Sequence, residues 1–370
     1  IRIASLLRAL AQEHEIHLVA LAQEPVEPPQ VQRMAETCRS VQFVPARTWV
    51  PSRTALLTSL VLPNPASVRA TWNERFDSLA QETAAAVRPD LVIAFQLAAA
   101  PYARGIADAP KILEELEVTR IREEFSNARR PIRRLRAWLT WRKHQGYVRR
   151  LLRSFDACTV VSAREWASVQ PLLPPAMPIV VVPNGADLQA CMSIAREPEP
   201  DTLIYPGALS YDANYEAVSH FLRASYPLIL AARPKVRFRI TGGVTEALRS
   251  SLPQVRGVEF TGYLSDVRPL IAQSWLEVVP LRIGGGTRLK VLEAMALGTP
   301  VVSTTKGIEG LDLEHDKHVL IADAADEFAS ATLRVLGERA LRDRLAAAGR
   351  RLIRERYDWQ VIGRQLSDLV

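Results

Sequence analysis

The sequence predicts an α/β protein with two domains, each built on a doubly wound parallel sheet. Two sets of short β-branched runs alternate with segments long enough for helices, on either side of a Pro- and Glu-containing stretch at residues 196–201. The runs are apolar at consecutive positions, as is typical of strands buried on both faces of a parallel sheet. The length of 370 residues suits two domains of about 150 residues each, and a hydrophobic content of 48% is enough for two cores.

The order of the elements follows from these runs. The chain opens with a helical pattern, because Ile3, Leu6, Leu7 and Leu10 recur at i, i+3, i+4 and i+7. Since the alternation would place a strand before this helix, we expect the first strand to be missing from the sequence. Strands are predicted at residues 16–21, 41–44, 91–95, 111–113, 157–161 and 179–182 in the first domain, and at 203–205, 236–241, 258–261, 275–279, 301–303 and 319–321 in the second.

These patterns also predict the domain boundaries. A first domain is expected over residues 1–185, a linker over 186–200 and a second domain over 201–353. Residues 354–370 are predicted to form a C-terminal helix that packs back on the first domain. Two sheets of similar size joined by a linker are expected to face each other across a cleft, with ligands at the strand ends.

Cysteine usage and hydropathy exclude several classes of protein. Cys38, Cys158 and Cys191 lie far apart without paired spacing, which argues against a disulfide framework, a zinc cluster and a redox site. The longest apolar stretches fall well short of the roughly 18 residues that span a bilayer. We therefore expect a cytoplasmic protein that needs no metal and no bound cofactor.

The positive charge of the chain is concentrated in one segment. The net charge is +7, but residues 120–153 alone contribute +10, from twelve basic and two acidic residues. Binding of nucleic acid is not indicated, because no recognisable module with interleaved stacking aromatics accompanies this charge.

Residues 129–143 form a predicted cationic helix with two tryptophans. Arg133, Arg134, Arg136, Trp138 and Trp141 are typical of a helix that lies on an anionic membrane surface, with Trp at the level of the headgroups. The alternative is that the tryptophan face packs on its own domain and the arginines are solvated. We favour the membrane interpretation and expect peripheral association with the inner face of the cytoplasmic membrane.

A glycine-rich loop in the second domain predicts an anion site. Three consecutive glycines, Gly284, Gly285 and Gly286, connect a predicted strand to a predicted helix, whose N-terminus offers unpaired N–H groups and a positive dipole end. Arg288 and Lys290 follow in the first turn and add two cations suited to a diphosphate. The alternative is a flexible loop with solvated basic residues, and the spacing of a Walker loop is absent.

Glu293 lies at the border of the apolar face of this predicted helix. Leu289, Leu292 and Ala296 form that face, so the carboxylate is either paired internally or used by a ligand. One interpretation is an i, i+3 ion pair with Lys290, which would contribute a few tenths of a kcal/mol. The other is a carboxylate that accepts two ribose hydroxyls beyond the diphosphate.

Four segments together resemble the retaining nucleotide-sugar glycosyltransferases of family 4, which have the GT-B architecture of two Rossmann-like domains. They are residues 183–187 (PNGAD), 205–209 (YPGAL), 260–266 (FTGYLSD) and 292–302 (LEAMALGTPVV). The resemblance covers most of the chain, and the loop at 284–290 (GGGTRLK) is similar to that of one branch of the family.

The resemblance implies a site for a nucleoside diphosphate sugar. Glu293 would be the second acid of the family's Glu-x7-Glu motif and hold the donor ribose, while Arg288 and Lys290 would clamp the diphosphate; these three are the expected catalytic residues. The other donor-binding positions would be Gly207, Gly262, Tyr263, Leu264, Gly284, Gly285, Gly286, Thr287, Leu289 and Glu309, of which 262–264 would contact the base mainly through the backbone.

The chain departs from the family pattern at three places. Gly285 stands where the first acid of the motif would fall, so the donor sugar would be bound by loop amides or other groups. Residues 211–214 (YDAN) replace the lysine that usually follows the first glycine loop of the second domain, which makes Arg288 and Lys290 more important. The histidine that many members place near the reacting sugar has no clear counterpart.

Residues on the acceptor side are expected at the strand ends of the first domain. Gln96 follows the predicted strand at 91–95, and an acidic cluster with Glu114 and Glu117 follows the strand at 111–113. These side chains are candidates for lining the cleft near the acceptor. The alternative for the acidic cluster is a solvated turn.

The resemblance implies transfer of a sugar from a nucleoside diphosphate sugar to a hydroxyl acceptor with retention, without a metal. A polysaccharide or lipid-linked glycan intermediate is the expected acceptor. Two alternatives stay open: a sugar-nucleotide epimerase, which would need acid/base residues that Gly285 does not provide, and a catalytically silent nucleotide-sugar-binding partner of a polysaccharide assembly complex. Intact Arg288, Lys290 and Glu293 argue against the silent partner, whereas the missing first acid leaves it open.

Overall fold

The computed structural model describes residues 2–46, 64–119, 121–122, 125 and 130–370. The chain divides into two compact units, one formed by Ile1–Pro183 with Gly363–Val370 and the other by Asn184–Ile362. Both units are α/β, and every strand pair in them is parallel.

The first unit carries two parallel sheets. One joins β1 and β2, and the other has the order β3-β4-β5-β6. Its elements are α1 (Arg2–Leu10), β1 (His17–Ala22), α2 (Pro28–Ala35), β2 (Ser40–Pro45), α3 (Ala66–Ala70), α4 (Glu74–Val87), β3 (Val92–Phe95), α5 (Gln96–Ala103), β4 (Lys111–Glu114), α6 (Pro131–Leu152), β5 (Ala157–Val160), α7 (Ala163–Val169) and β6 (Ile179–Val181).

A cavity of about 590 Å³ separates the two sheets of this unit. It is lined from one side by His17 and Val19 of β1 and from the other by Val92 and Ala94 of β3.

The second unit is built on one six-stranded sheet with the order β12-β11-β10-β7-β8-β9. Its elements are α8 (Leu188–Met192), β7 (Glu199–Pro206), α9 (Asp212–Ala224), α10 (Tyr226–Ala232), β8 (Arg237–Thr241), α11 (Glu246–Ser251), β9 (Val258–Gly262), α12 (Arg268–Ala272), β10 (Ser274–Val279), α13 (Leu289–Leu297), β11 (Val301–Ser303), β12 (Leu320–Ile321), α14 (Ala325–Gly337) and α15 (Arg339–Leu352), and α16 (Trp359–Ser367) runs across the unit boundary.

Apolar packing on the sheet faces explains why these segments form a core. Phe221 on α9 packs edge-on against Phe238 on β8, with ring centres 5.0 Å apart, and against Phe328 on α14 at 5.7 Å. All three side chains are buried. The helix α13 ends at Gly298, which adopts a left-handed conformation with φ 74°, as is common just beyond a helix C-terminus.

All twelve predicted strands are present, within a few residues of the predicted bounds. The segment expected to be an exposed linker differs, because it carries α8 and enters the central strand β7 at Glu199. The segment differs from a linker because its acidic residues pair with arginines of the second unit. The Glu199 carboxylate accepts hydrogen bonds from Arg237 at 2.6 Å and Arg239 at 2.7 Å, and Asp201 pairs with Arg233 at 2.7 Å.

The described ranges contain neither a helix suited to span a membrane nor a metal cluster. None of the helices there combines the length and the apolar character that crossing a bilayer requires. The same part of the chain contains no group of His, Cys, Asp and Glu suited to a metal ion. The three cysteines are buried free thiols.

Candidate active site

The strand order of the second unit creates a topological switch point between β7 and β10. These strands are neighbours, yet the chain leaves β7 through α9 toward β8 and leaves β10 through α13 toward β11, on the opposite side. Open α/β sheets bind ligands in the crevice at the carboxyl ends of such a strand pair. We call the space between the loop after β7 and the loop after β10 the switch-point crevice.

Glycines allow the two loops of the crevice to come together. Gly284, with φ 97°, faces α9 so closely that a Cβ there would lie 2.9 Å from the Cβ of Ala213. A Cβ on Gly207 would lie 2.9 Å from Nζ of Lys290 and 2.8 Å from Nδ2 of Asn214. A side chain at Gly284 would therefore separate the loop from α9, and one at Gly207 would displace the ends of Lys290 and Asn214.

Lys290 is held inside this crevice and is not a solvated surface lysine. Its Nζ lies 3.8 Å from the centre of the Tyr205 ring and 3.4 Å from Oδ1 of Asn214. The same Oδ1 accepts a hydrogen bond from the Tyr205 hydroxyl at 2.7 Å, and the Asn214 amide donates to the carbonyl of Ala208 at 2.9 Å. Burial lowers the pKa of Lys290 to about 7.

The side chain of Arg288 stabilises the glycine loop through hydrogen bonds to its backbone. The side chain is buried, and its two terminal nitrogens donate to the carbonyls of Gly285 at 2.7 Å and Gly284 at 2.9 Å. Arg288 precedes α13 without capping it through its side chain. Its charge is thus fixed beside the N-terminus of α13, where the helix dipole already favours an anion.

Glu293 lies one turn further along α13. Burial raises the pKa of its carboxyl, and Arg268 lowers it. Within the described part of the chain, its carboxylate has neither a hydrogen bond nor an ion pair. The expected alternative, a pair with Lys290, is not formed because the Lys290 amino group lies against Tyr205 instead.

The other predicted donor-binding residues lie at the same edge of the sheet. Residues 262–264 follow β9, where Gly262 has φ 72° and Tyr263 is 82% exposed, and Thr287 and Leu289 flank Arg288. Glu309 follows β11 and accepts a hydrogen bond from Lys306 at 2.6 Å. The sequence-based donor set is therefore assembled at the carboxyl ends of β7, β9, β10 and β11.

The acceptor-side candidates of the first unit divide into two groups. Gln96 follows β3 with φ 65° and donates to the Glu115 carboxylate at 2.8 Å, and Glu115 follows β4 with φ 60°. Positive φ at non-glycine residues is costly and clusters at functional sites. Glu115 belongs to the acidic cluster that the sequence indicates at the end of this strand. Glu117 is exposed nearby.

Glu114 has a structural contact instead of the expected contact with an acceptor. Its side chain is fully buried, and one carboxylate oxygen accepts two hydrogen bonds from the Arg2 guanidinium. Arg2 also donates to the carbonyls of Val182 and Pro183, both at 2.9 Å. The partner is 112 residues away in the chain, so the pattern around residue 114 carries no sign of it.

The basic helix α6 presents part of its predicted patch to solvent. Arg133, Arg134 and Arg136 are exposed, and so are the apolar residues Ile132 (84%), Leu135 (58%) and Trp138 (42%). Trp141, expected in the same patch, packs against the core of the first unit instead. Residues 120, 123–124 and 126–129 of the basic segment lie outside the described residues.

Three residues of the crevice were not found from the sequence: Tyr205, Asn214 and Glu277. Tyr205 and Asn214 form the hydrogen-bonded surroundings of Lys290. Glu277 is a fully buried acid on β10, the strand that leads into the glycine loop. An acid within the apolar run at 275–279 was the available signal for Glu277.

Comparison with known proteins agrees with this geometry. Residues 200–338 match the family model of glycosyl transferases group 1. A glycogen synthase of Mycobacterium tuberculosis is 26% identical over 226 residues, which are 57% of this chain and 53% of that protein. A GDP-mannose-dependent monoacylated alpha-(1-6)-phosphatidylinositol monomannoside mannosyltransferase of Corynebacterium glutamicum is 25% identical over 39% of this chain and 41% of its own length. The chain thus aligns with about half of these curated relatives or less.

Solved structures are similar over the whole chain. The Anabaena protein HepE, crystallised with UDP and glucose, has a TM-score of 0.64 at 13% identity and covers 99% of this chain and 94% of its own. The sucrose-phosphate synthase of Thermosynechococcus elongatus has a TM-score of 0.65 at 18% identity, with 100% and 91% coverage. At these identities the likeness establishes the fold alone.

The predicted fold class is therefore confirmed. The chain has the GT-B fold with two Rossmann-like domains, and residues 200–338 of its second unit match glycosyl transferases group 1, in agreement with the predicted family.

The burial of Glu114 leads to a prediction about stability. Replacing Arg2 by Ala leaves the Glu114 carboxylate buried without its cation, which we expect to cost about 3 kcal/mol in the free energy of unfolding. Urea denaturation of the full chain, followed by circular dichroism, measures the effect. Arg8→Ala on the exposed side of the same helix is the control and should change stability little. Equal stability of the two variants would contradict the structural role.

Proposed function

We propose that this chain transfers a sugar from a nucleoside diphosphate sugar to a hydroxyl group of a glycan or lipid-linked acceptor, with retention. The observation that carries the proposal is the buried amino group of Lys290 between two glycine loops at the switch point, one turn from the unpaired Glu293. Relatives that act on nucleotide sugars and on phosphatidylinositol mannosides support the donor and acceptor classes. Retention rests on the family resemblance.

The chemistry follows from the charge that develops on the leaving diphosphate. Preorganised positive groups that face this charge stabilise the transition state more than the ground state. Here Lys290, the N-terminus of α13 and the fixed guanidinium of Arg288 supply that potential. A cation withdrawn from water acts more strongly than a solvated one, because the local dielectric is lower. We propose that these groups suffice without a metal, so that a chelator leaves turnover unchanged.

Glu293 would fix the donor beyond the diphosphate. A carboxylate accepts hydrogen bonds from two neighbouring hydroxyls, as a ribose offers. The raised pKa of Glu293 reflects a partly desolvated site, where such bonds are stronger than in water. The donor ribose is therefore the proposed partner of this side chain.

A donor screen tests the function. The full chain is incubated with UDP-, GDP- and dTDP-sugars and with glycan and glycolipid acceptors, and the products are identified by mass spectrometry. A glycosylated acceptor with released nucleoside diphosphate supports the proposal. An epimerised donor would indicate the epimerase, and binding without turnover would indicate a silent partner; either result overturns the proposal.

Two variants test the assigned cations. Replacing Arg288 or Lys290 by Ala should lower turnover at least about tenfold, because each removes positive charge from the leaving group. Arg282→Ala is the matched control, since Arg282 lies in the same loop but is exposed and pairs with Glu216. Near-normal turnover in both site variants would refute their role.

We also propose that α6 attaches the chain to an anionic membrane surface. Ile132, Leu135 and Trp138 follow each other at intervals of three and are exposed, and Arg133, Arg134 and Arg136 lie between them. Apolar side chains that insert at headgroup level, flanked by arginines, are typical of helices on membrane surfaces. The acceptor would then be reached at the inner leaflet.

Sedimentation with anionic vesicles measures this association. At about 1 kcal/mol for each basic residue near the surface, loss of Arg133, Arg134 and Arg136 alone weakens binding about 100-fold, so their reversal to Glu should weaken it by at least that factor. The control reverses Arg339, Arg344 and Arg351, which are exposed on α15 and give the same change in net charge. Equal binding of the two triple variants would count against the α6 surface.

A further inference from the structure

Asn214 lies in the first turn of α9, and its side-chain amide has a fixed orientation. The amide nitrogen donates to the carbonyl of Ala208 at 2.9 Å, and Oδ1 accepts a hydrogen bond from the Tyr205 hydroxyl at 2.7 Å. A carbonyl oxygen can only accept, so the contact with Ala208 determines which side of the amide carries the nitrogen. The amide oxygen is thereby turned toward Tyr205 and Lys290.

The amino group of Lys290 takes the remaining place on this oxygen. Its Nζ lies 3.4 Å from Oδ1 of Asn214, the one acceptor to which it donates within the described part of the chain, and 3.8 Å from the centre of the Tyr205 ring. The ring attracts the cation through its negative face. An ammonium group has three donors, so one hydrogen bond and one ring face set its position and two N–H groups remain for a ligand.

The backbone after β7 approaches both side chains closely. A Cβ on Gly207 would lie 2.8 Å from Nδ2 of Asn214 and 2.9 Å from Nζ of Lys290. Tyr205 is fully buried on β7, and a buried phenol hydroxyl needs a hydrogen-bond partner, which Oδ1 of Asn214 supplies. One amide group therefore connects β7, the loop after it and the lysine of α13.

We propose that Asn214 is a positioning residue: its amide oxygen holds the ammonium group of Lys290 in the switch-point crevice for the diphosphate of the donor. The part about the diphosphate rests on the proposed function. A neutral amide positions the cation without neutralising it, whereas a carboxylate at the same place would pair with it and reduce its attraction for an anion. Without Asn214 the ligand itself would have to order the lysine side chain, at a cost in affinity.

The position of Lys290 is directly measurable because the chain has few lysines. Labelling with carbon-13 at Cε of lysine gives six signals, from Lys111, Lys143, Lys235, Lys290, Lys306 and Lys317. Loss of one signal in Lys290→Arg assigns it. Nuclei held over the face of an aromatic ring are shielded, so in the free full chain the protons on Cε of Lys290 should resonate upfield of those of the other lysines.

Two variants that lack the amide oxygen test the assignment. In Asn214→Ala, and in Asn214→Leu if the smaller side chain folds poorly, the ammonium loses its acceptor and turns to water, so the Lys290 signal should lose most of its upfield displacement. Asn214→Asp keeps an acceptor oxygen and should keep the signal near its wild-type position. Tyr215→Phe is the matched control on the same helix, because the Tyr215 hydroxyl bonds to Ser251 at 2.7 Å, and it should leave the signal unchanged. An unchanged Lys290 signal in both Asn214→Ala and Asn214→Leu overturns the proposal.

A second measurement separates the proposal from the proposed function. The affinities of UDP and GDP are measured by calorimetry at pH 6, below the pKa of Lys290 of about 7, for the wild type and the same variants. We expect about tenfold weaker binding in Asn214→Ala, because the ligand must then order the lysine, and at least as large a loss in Asn214→Asp, because the carboxylate pairs with the cation. Tyr215→Phe should bind like the wild type.

The outcomes of this measurement differ for the two proposals. In Asn214→Asp, a retained Lys290 signal together with weakened nucleotide binding supports the positioning role, because a residue with a purely structural role would not separate the two. If neither nucleotide binds the wild type, the part about the diphosphate and the proposed function fail together. If both nucleotides bind and Asn214→Ala binds them as tightly as the wild type does, Asn214 has no role at the donor site and the proposed function stands.

Discussion

The arrangement of the second unit depends on one constraint, which is that an ammonium group is held where little water reaches it. The amino group of Lys290 meets this constraint because it lies against the face of the Tyr205 ring and donates to the side-chain amide oxygen of Asn214. Both partners come from the β7 side of the switch point, whereas Lys290 comes from the β10 side. The strand order that makes β7 and β10 neighbours is therefore what brings the cation to its partners.

The same constraint explains the distribution of glycines in the crevice. A Cβ at Gly207 would displace the ends of the Lys290 and Asn214 side chains, and one at Gly284 would collide with Ala213 on α9. Arg288 completes the arrangement by holding the carbonyls of the glycine loop, which has no side chains of its own at 284–286 to fix it. Arg288 thus fixes the loop, whereas Lys290 remains in the crevice.

The sequence predicted the strands well because each strand is a local apolar run. It also predicted which loops meet at the sheet edge, because parallel strands place their carboxyl ends together. It did not predict the surroundings of Lys290, since Tyr205 and Asn214 reach it through the strand order, which single segments do not encode. For the same reason Glu114 was assigned to the acceptor, although Arg2, far away in the chain, neutralises it. The beginning of β7 was expected to belong to a linker, because the arginine partners of Glu199 lie on β8 and are not evident from the segment itself.

The charges around the crevice explain why glycine suits position 285. An acid there would lie beside the Arg288 guanidinium, which now contacts the carbonyl of Gly285, and would reduce the positive potential above α13. Glycine at this position adds no negative charge beside Arg288 and Lys290, so the N-terminus of α13 keeps its positive potential for an anion that enters at the strand ends.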